Sequence, residues 1–478
     1  MVHLNAPMFL STHFSWLRTA ATAFAFGAGL VLAGCGGGPA PAPSSPGPAR
    51  SGAPAAIAAK PATPAAKTTP APRPVEQLVV ARAAPATATA SSPRRQSDPD
   101  GLVRVGLLVP LSGQAQPTGQ GILNAAQLAL FEIGDERLVV QVYDTQGTPD
   151  GAAQAAALAA SQGVQLFLGP VFAAEVKAVT TQARAAGINV IAFSTDPSVA
   201  GGNVYVLGFL VDAQVRDVVA YARARGLARI AVLAPDTIYG QSVVDALGKI
   251  VPESGGQLTR VAYFDPAGND LEDVVRRFSD YDRRQAALNA QREALAANTD
   301  EVSQLALKRL ERLDTLGDVD FDAVFIPEQG TRLTQAASLL PFYDVDPGRV
   351  QLLGTMLWAT RGLGREPAMI GGVFPAPAPE ASREFIARYR QMYGGNPPPL
   401  ANHGYDAVAL AAVLARTGSG DPFRAEAITN PAGFAGVDGI FRFRADGKSD
   451  RGFAIMQISR DGADVVRAAP AAFDDVQF

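Results

Sequence analysis

The sequence predicts an α/β protein of two doubly wound lobes, carried on a long Pro/Ala-rich tether. Three observations predict it. From Leu102 onward, short and nearly continuous apolar runs alternate with stretches of helical period, as in parallel strands buried on both faces by crossover helices. One such unit ends near residue 207 and the alternation restarts at Ala213, so two sheets with a cleft between them are expected. Before Leu102, residues 36–100 hold 14 of the 36 prolines and no such alternation.

Taken in order, residues 1–34 read as a signal. Residues 19–34 carry no charge and follow Arg18. A helix of that length spans about 24 Å, short of the roughly 30 Å hydrocarbon core, so the segment is an export signal and not a membrane span. Met8 is an alternative start. The segment ends in Leu32-Ala33-Gly34-Cys35, which resembles the lipobox of bacterial lipoproteins. That resemblance implies cleavage before Cys35 and lipidation of its thiol, and Cys35 is the only cysteine in the chain. Gly36 at the next position favours the outer membrane. Residues 35–100 then form the lipidated cysteine and its tether. Runs such as Pro-Ala-Pro-Ala-Pro lack the N–H groups for a helix or sheet and prefer extended polyproline geometry. At about 3.1 Å per residue they reach roughly 200 Å at most.

The body begins with a strand over 102–109, ended by Pro110-Leu111-Ser112-Gly113. A helix follows with Ile122, Ala125, Ala126, Ala129 and Leu130 on one face. Strands are expected at 138–143, 164–169 and 189–193, and helices at 151–162 and 173–186. The second unit reads helix 213–225, strand 229–234, helix 241–254, strand 258–264, strand 321–326, helix 330–341 and strand 349–354. Ligands of such sheets sit beyond the carboxyl ends of the strands. Residues 270–316 are a charged, helix-favouring insertion in which Val274, Tyr281, Leu288, Leu295 and Val302 recur every seven residues. Gln285 and Arg292 interrupt the second apolar row that a coiled coil needs. The insertion therefore reads as a helical arm with one face on its own lobe, and Asn298 with Glu301 reads as a helix start within it.

Composition removes several functions. Residues 101–478 carry 33 basic and 42 acidic side chains, the wrong balance for nucleic-acid binding. One cysteine and three histidines (His3, His13, His403) exclude a disulfide framework and a thiolate or histidine metal centre. No P-loop, dinucleotide fingerprint or Gly-x-Ser-x-Gly elbow is present. The acidic loop of Asp265, Asn269, Asp270 and Asp273 lacks the Ca²⁺-loop spacing. The reading is a non-enzymatic binder without a cofactor. His403, at a predicted helix start beside Asn402, is read as a capping or supporting residue.

Val109-Pro110-Leu111-Ser112-Gly113, Gly169-Pro170, Ser194-Thr195-Asp196-Pro197, Tyr239-Gly240 and Tyr405-Asp406-Ala407 occur in the order seen in Leu/Ile/Val-binding periplasmic proteins, which the body resembles. The resemblance implies the type I periplasmic-binding-protein fold, two doubly wound lobes joined by three crossovers. The crossings are expected near Tyr205–Gly208, Val373–Ala376 and Gly436–Asp438. The lobes would then comprise 101–207 with 374–436, and 208–373 with 437–478. It also implies a cleft lined by Ser112, Thr118, Ser194, Thr195 and Tyr239, with Trp358 as a second cleft aromatic. The family's carboxylate-binding serine falls on Ala173 or Ala174, and its ammonium-binding acid on Thr355 or Met356, with Glu328 or Gln329 as substitutes. Both poles of an amino-acid receptor are thus altered.

The stretch Phe342-Tyr343-Asp344-Val345 and Val350–Trp358 is similar to that of penicillin-binding-protein activators. These are lipoproteins with this fold, a helical insertion and a peptidoglycan synthase as partner. The expected partner is therefore a small amino-acid-like solute of an ABC importer or a peptidoglycan synthase. The lead reading is the activator kind, facing the periplasm and held to the envelope through its lipid alone.

Overall fold

The structure is a computed structural model and describes residues 101–417 and 420–473. The signal, Cys35 and the tether lie outside the described residues.

The first sheet is built from β1 (Val103–Val109), α1 (Gln116–Ile133), β2 (Leu138–Asp144), α2 (Pro149–Ser161), β3 (Leu166–Leu168), α3 (Ala173–Ala185), β4 (Asn189–Ala192) and β5 (Val204–Val206). Its five strands are parallel in the order β2-β1-β3-β4-β5. Alternate residues of each strand feed opposite cores. Val105, Leu107 and Val109 join α1 on one face, while Leu108, Phe167 and Val190 meet α2 and α3 on the other. Burial on both faces is why the strands read as unbroken apolar runs.

The second sheet follows from α4 (Val211–Ala224), β6 (Arg229–Pro235), α5 (Ile238–Glu253), β7 (Gln257–Phe264), α6 (Leu271–Phe278), α7 (Tyr281–Ala296), α8 (Glu301–Leu310), β8 (Ala323–Phe325), α9 (Gly330–Phe342), β9 (Gln351–Leu353) and β10 (Val373–Ala376). The chain then returns to the first lobe as α10 (Pro379–Tyr393), α11 (Ala401–Thr417) and α12 (Ala425–Ile428). A small antiparallel sheet of β11 (Phe434–Gly436), β12 (Gly439–Phe443) and β13 (Ser449–Arg451) comes next. The hairpin β14 (Ala454–Ser459) and β15 (Gly462–Arg467) closes the second sheet, ordered β15-β14-β10-β9-β8-β6-β7. Its parallel strands again divide their side chains, Leu233 and Val324 towards α6 and α9, Val232 and Phe325 towards α4 and α5.

Three expectations are corrected. The second passage between lobes falls after β10, at 377–378, because β10 itself pairs with β9 and β14. The third falls at 452–453 and not at Gly436–Asp438. Phe441 and Phe443 are buried in the first lobe's core, with Phe443 edge-on to Tyr205 at 5.7 Å, so 437–451 stay with that lobe. The insertion is three helices and not one arm. Asp280 has φ 54°, a left-handed residue that breaks α6 from α7. Of the seven-residue row, Val274 and Leu288 are buried but Val302 is 76% exposed. The start of α8 is capped by Asp300, which accepts from the Ser303 N–H at 2.9 Å, while Asn298 bonds back to the Ala294 carbonyl.

α11 lies directly on α1, and Gly404 permits it. A Cβ there would stand 2.2 Å from the Ile122 carbonyl oxygen and 2.9 Å from its Cγ2. Backbone cannot swing aside as a side chain can, so Gly404→Ala forces the helices apart. It is expected to cost about 1–3 kcal/mol, read as a lower urea midpoint at unchanged m value.

Candidate functional site

The parallel strands of both sheets end in loops, and these collect most of the residues singled out from sequence. In the first lobe, Ser112 follows β1, Ala173 and Ala174 follow β3, and Ser194 and Thr195 follow β4. Those three strands are neighbours, so the loops share one edge. In the second lobe, Tyr239 follows β6, Glu328 follows β8, and Thr355 and Met356 follow β9, again three neighbouring strands. Thr118 sits half-buried in the first turns of α1.

Many of these polar atoms are already engaged. The exposed Ser112 hydroxyl donates to Asp144 at 2.7 Å, and the other Asp144 oxygen accepts from the Leu111 N–H at 2.8 Å. Burial acts on Asp144 against these bonds, and the bonds prevail, leaving its pKa below the ordinary value. The Ser194 hydroxyl accepts from the Asp196 N–H at 3.1 Å. Thr195, like Ser112, is exposed. Across the second lobe, the Tyr239 hydroxyl donates to Thr355 Oγ1 at 2.9 Å. Burial, then the charge of Glu328, raises the Tyr239 pKa against the effect of that bond. Glu328 accepts from the Gln329 N–H at 2.8 Å. Met356 donates its N–H to Gln214 Oε1 at 3.0 Å.

Trp358 is not a cleft aromatic. It is 1% exposed, its Nε1–H bonds the Ile326 carbonyl at 3.1 Å, and its ring lies against Phe374 in the second lobe's core. Gly354 makes room for it, since a Cβ there would be 2.2 Å from the indole. His403 is likewise interior, edge-on to Phe193 and Phe209, with Nδ1 3.1 Å from Asn402 Oδ1. Burial, then the charge of Arg451, holds its pKa down at about 3, so the ring is neutral.

The sequence does not single out Glu175, yet it decides the chemistry of the first lobe's loops. Glu175 is 1% exposed and accepts from the Phe172 N–H at 3.2 Å. It thereby occupies the positive end of α3, where a ligand carboxylate would otherwise be drawn. Burial raises its pKa against the lowering effect of the Thr145 hydroxyl and the Phe172 N–H. An acid at the third helical residue is a recognisable capping signal. It is visible in Phe172-Ala173-Ala174-Glu175 once the helix start is fixed. Gln214 carries no comparable signal.

Two doubly wound sheets joined by three passages, with polar loops at the carboxyl ends of both, define a two-lobed ligand-binding protein. Among the described residues, no group of His, Cys, Asp and Glu is placed to hold a metal ion. The chain belongs to the periplasmic binding protein family, whose model matches residues 102–463. Solved structures agree in fold. One is a Rhodospirillum rubrum protein provisionally described as a branched-chain amino acid ABC transporter, at 16% identity and TM-score 0.60, covering 76% of this chain and 100% of that one. An ABC transporter substrate-binding protein from Sphaerobacter thermophilus gives 18% identity and TM-score 0.55, covering 79% and 100%. One from Desulfitobacterium hafniense, solved in complex with Leu, gives 18% identity and TM-score 0.51, covering 76% and 99%. No curated protein matches the chain.

Removing the internal cap separates its two parts. Glu175→Ala leaves the part-buried Phe172 N–H without its acceptor and is expected to cost about 1 kcal/mol, as loss of a helix cap does. Glu175→Gln keeps an acceptor and is expected to cost less than half of that, both read from urea unfolding.

Proposed function

We propose that the protein is a solute receptor for an ABC importer, held to the envelope through a lipidated Cys35, whose ligand is a small polar or amine-bearing solute without an α-carboxylate. The single observation that carries this reading is the first-lobe helix end. Glu175 fills it, Ala173 and Ala174 offer no hydroxyl beside it, and a second negative charge there would meet the first at close range. Losing one hydrogen-bond partner to a charged group costs about 1.5–3 kcal/mol, enough to turn a tight carboxylate site into a weak one. The facing loops favour the opposite sign, since the charge of Glu328 acts on the Tyr239 phenol.

A second reading, a penicillin-binding-protein-activator-like regulator of a peptidoglycan synthase, is favoured by α8. None of its residues is buried, and Val302 and Leu305 stand 76% and 54% exposed. A receptor that only closes on a solute has no use for that surface.

Thermal unfolding of the purified chain against amines, amino acids, sugars and cell-wall fragments tests both. A ligand at a hundred times its dissociation constant adds about 2.7 kcal/mol, which raises the midpoint by at least about 2 °C. A rise with an amine or neutral solute and none with leucine is the expected result. A rise with leucine or valine overturns the exclusion of α-carboxylates. If no solute raises the midpoint, the receptor reading fails, and binding of a purified peptidoglycan synthase decides for or against the second.

A further inference from the structure

The three passages between the lobes meet at one buried polar cluster. Arg451, the last residue of β13, is 4% exposed and donates its Nη2–H to the Leu207 carbonyl at 2.7 Å. Leu207 belongs to the first passage, and the guanidinium carbon lies 4.5 Å over the ring of Phe209 two residues on. The Phe441 ring lies 5.2 Å from the same carbon. Asp438, 7% exposed, accepts from Ser382 at 3.1 Å and from Asn402. Ser382 stands in the first turn of α10, where the second passage lands. Asp406, 2% exposed, accepts from the Val437 N–H at 2.8 Å.

One edge of this cluster is unmade. Asp406 Oδ2, Arg451 Nε and Arg451 Nη1 are buried without a hydrogen-bond partner, although the charges of Arg451 and both aspartates act on one another. A buried donor or acceptor left unpaired is costly, so this edge holds a reserve of unused bonding. One guanidinium beside two ionised carboxylates would also leave a net negative charge in the interior, which a proton relieves. Burial, then the charge of Asp438, pushes the Asp406 pKa up to about 7, and burial raises that of Asp438 as well. Other titratable groups of the surroundings do not supply this proton. His403 faces the cluster from α11 but is held neutral. Asp217 on α4, across the third passage, takes the Phe453 N–H at 3.0 Å with Arg467 at 3.6 Å. Burial raises its pKa to about 6, but its bond is to Phe453 and not to the Leu207 carbonyl, so it does not set the Arg451–Leu207 tie.

We propose that the cluster is a proton-set hinge. With one proton on the Asp406–Asp438 pair, Arg451 stays on the Leu207 carbonyl and ties the first passage to the third. Loss of that proton draws the free edge of the guanidinium onto the carboxylates and releases Leu207, loosening the two lobes.

Hydrogen exchange of the full chain, corrected for intrinsic exchange rates, tests this at pH 6 and pH 8. Protection of a peptide spanning 203–212 is expected to fall about tenfold at the higher pH. That is the change produced when tied and released hinges differ by one pKa unit. A peptide over β3 serves as the reference for whole-body unfolding and is expected to hold its protection. In Asp406→Asn, which cannot lose the proton, the pH 6 value is expected at both pH values, and Asp438→Asn gives the same test should the first variant fail to fold. A flat response in the natural chain overturns the proposal, whatever the variants do. An equal fall in β3, or an unchanged pH response in the asparagine variants, overturns it too.

Discussion

Each time a chain leaves one sheet for another, its backbone N–H and C=O groups lose the ladder that satisfied them, and burial does not let water replace it. This chain does so three times within one narrow region, and the fold depends on how those groups are satisfied. The Leu207 carbonyl is taken by Arg451 and the Phe453 N–H by Asp217. The Val206 N–H reaches the Gly447 carbonyl at 2.8 Å, and Ser449 donates to the Gly208 carbonyl at 3.4 Å. Two of these partners are charged side chains inside the protein. They make stronger bonds than neutral groups and cost more to bury. The passages are therefore where stability and proton balance are most closely joined, while the sheets on either side are built largely from apolar strands.

The same demand shapes the loops at the strand ends. Ser112 is spent on Asp144, Ser194 on the Asp196 N–H, Tyr239 on Thr355 and Glu328 on the Gln329 N–H. These residue types suit a ligand, but in this chain they first hold the loops that would surround one. On the proposed receptor reading, what is left over for a ligand is the exposed Thr195, the half-buried Tyr239 ring and the remaining acceptor capacity of Glu328. Acceptors outnumber donors in that set, which is the mirror image of what a carboxylate needs.

The two-sheet architecture was legible because strands buried on both faces leave long apolar runs, and such runs are hard to hide in 378 residues. The family order of Val109–Gly113, Gly169-Pro170 and Tyr405-Asp406-Ala407 added the topology. The third passage was misplaced because Phe441 and Phe443 look the same in sequence whichever core they enter, and only the partner ring of Tyr205 decides. Trp358 was read as a cleft residue for a similar reason, since an aromatic after a strand end has the same signature whether it faces solvent or fills the space above Gly354. The hinge cluster was illegible. Its three charged members, Asp406, Asp438 and Arg451, are separated by up to 45 positions, and isolated charges in sequence are ordinarily surface charges.

Signs and places of the pKa shifts separate into two groups. Asp217, raised to about 6, and Asp406, raised to about 7, sit at the passages. Their folded-state values lie above the unfolded ones, so the stability they contribute is complete below about pH 4 and is lost as pH rises through 6 and 7. Asp280, Asp322 and Asp446, lowered chiefly through partner arginines or against their own burial, sit in surface loops. Their contribution is present above about pH 4 and is lost only as pH falls below it. Between these limits the two groups support the body together. Moving upward from that window weakens the passages first and leaves both sheets intact, which is the order of events a hinge requires: the joint must yield to a change that the lobes themselves do not feel.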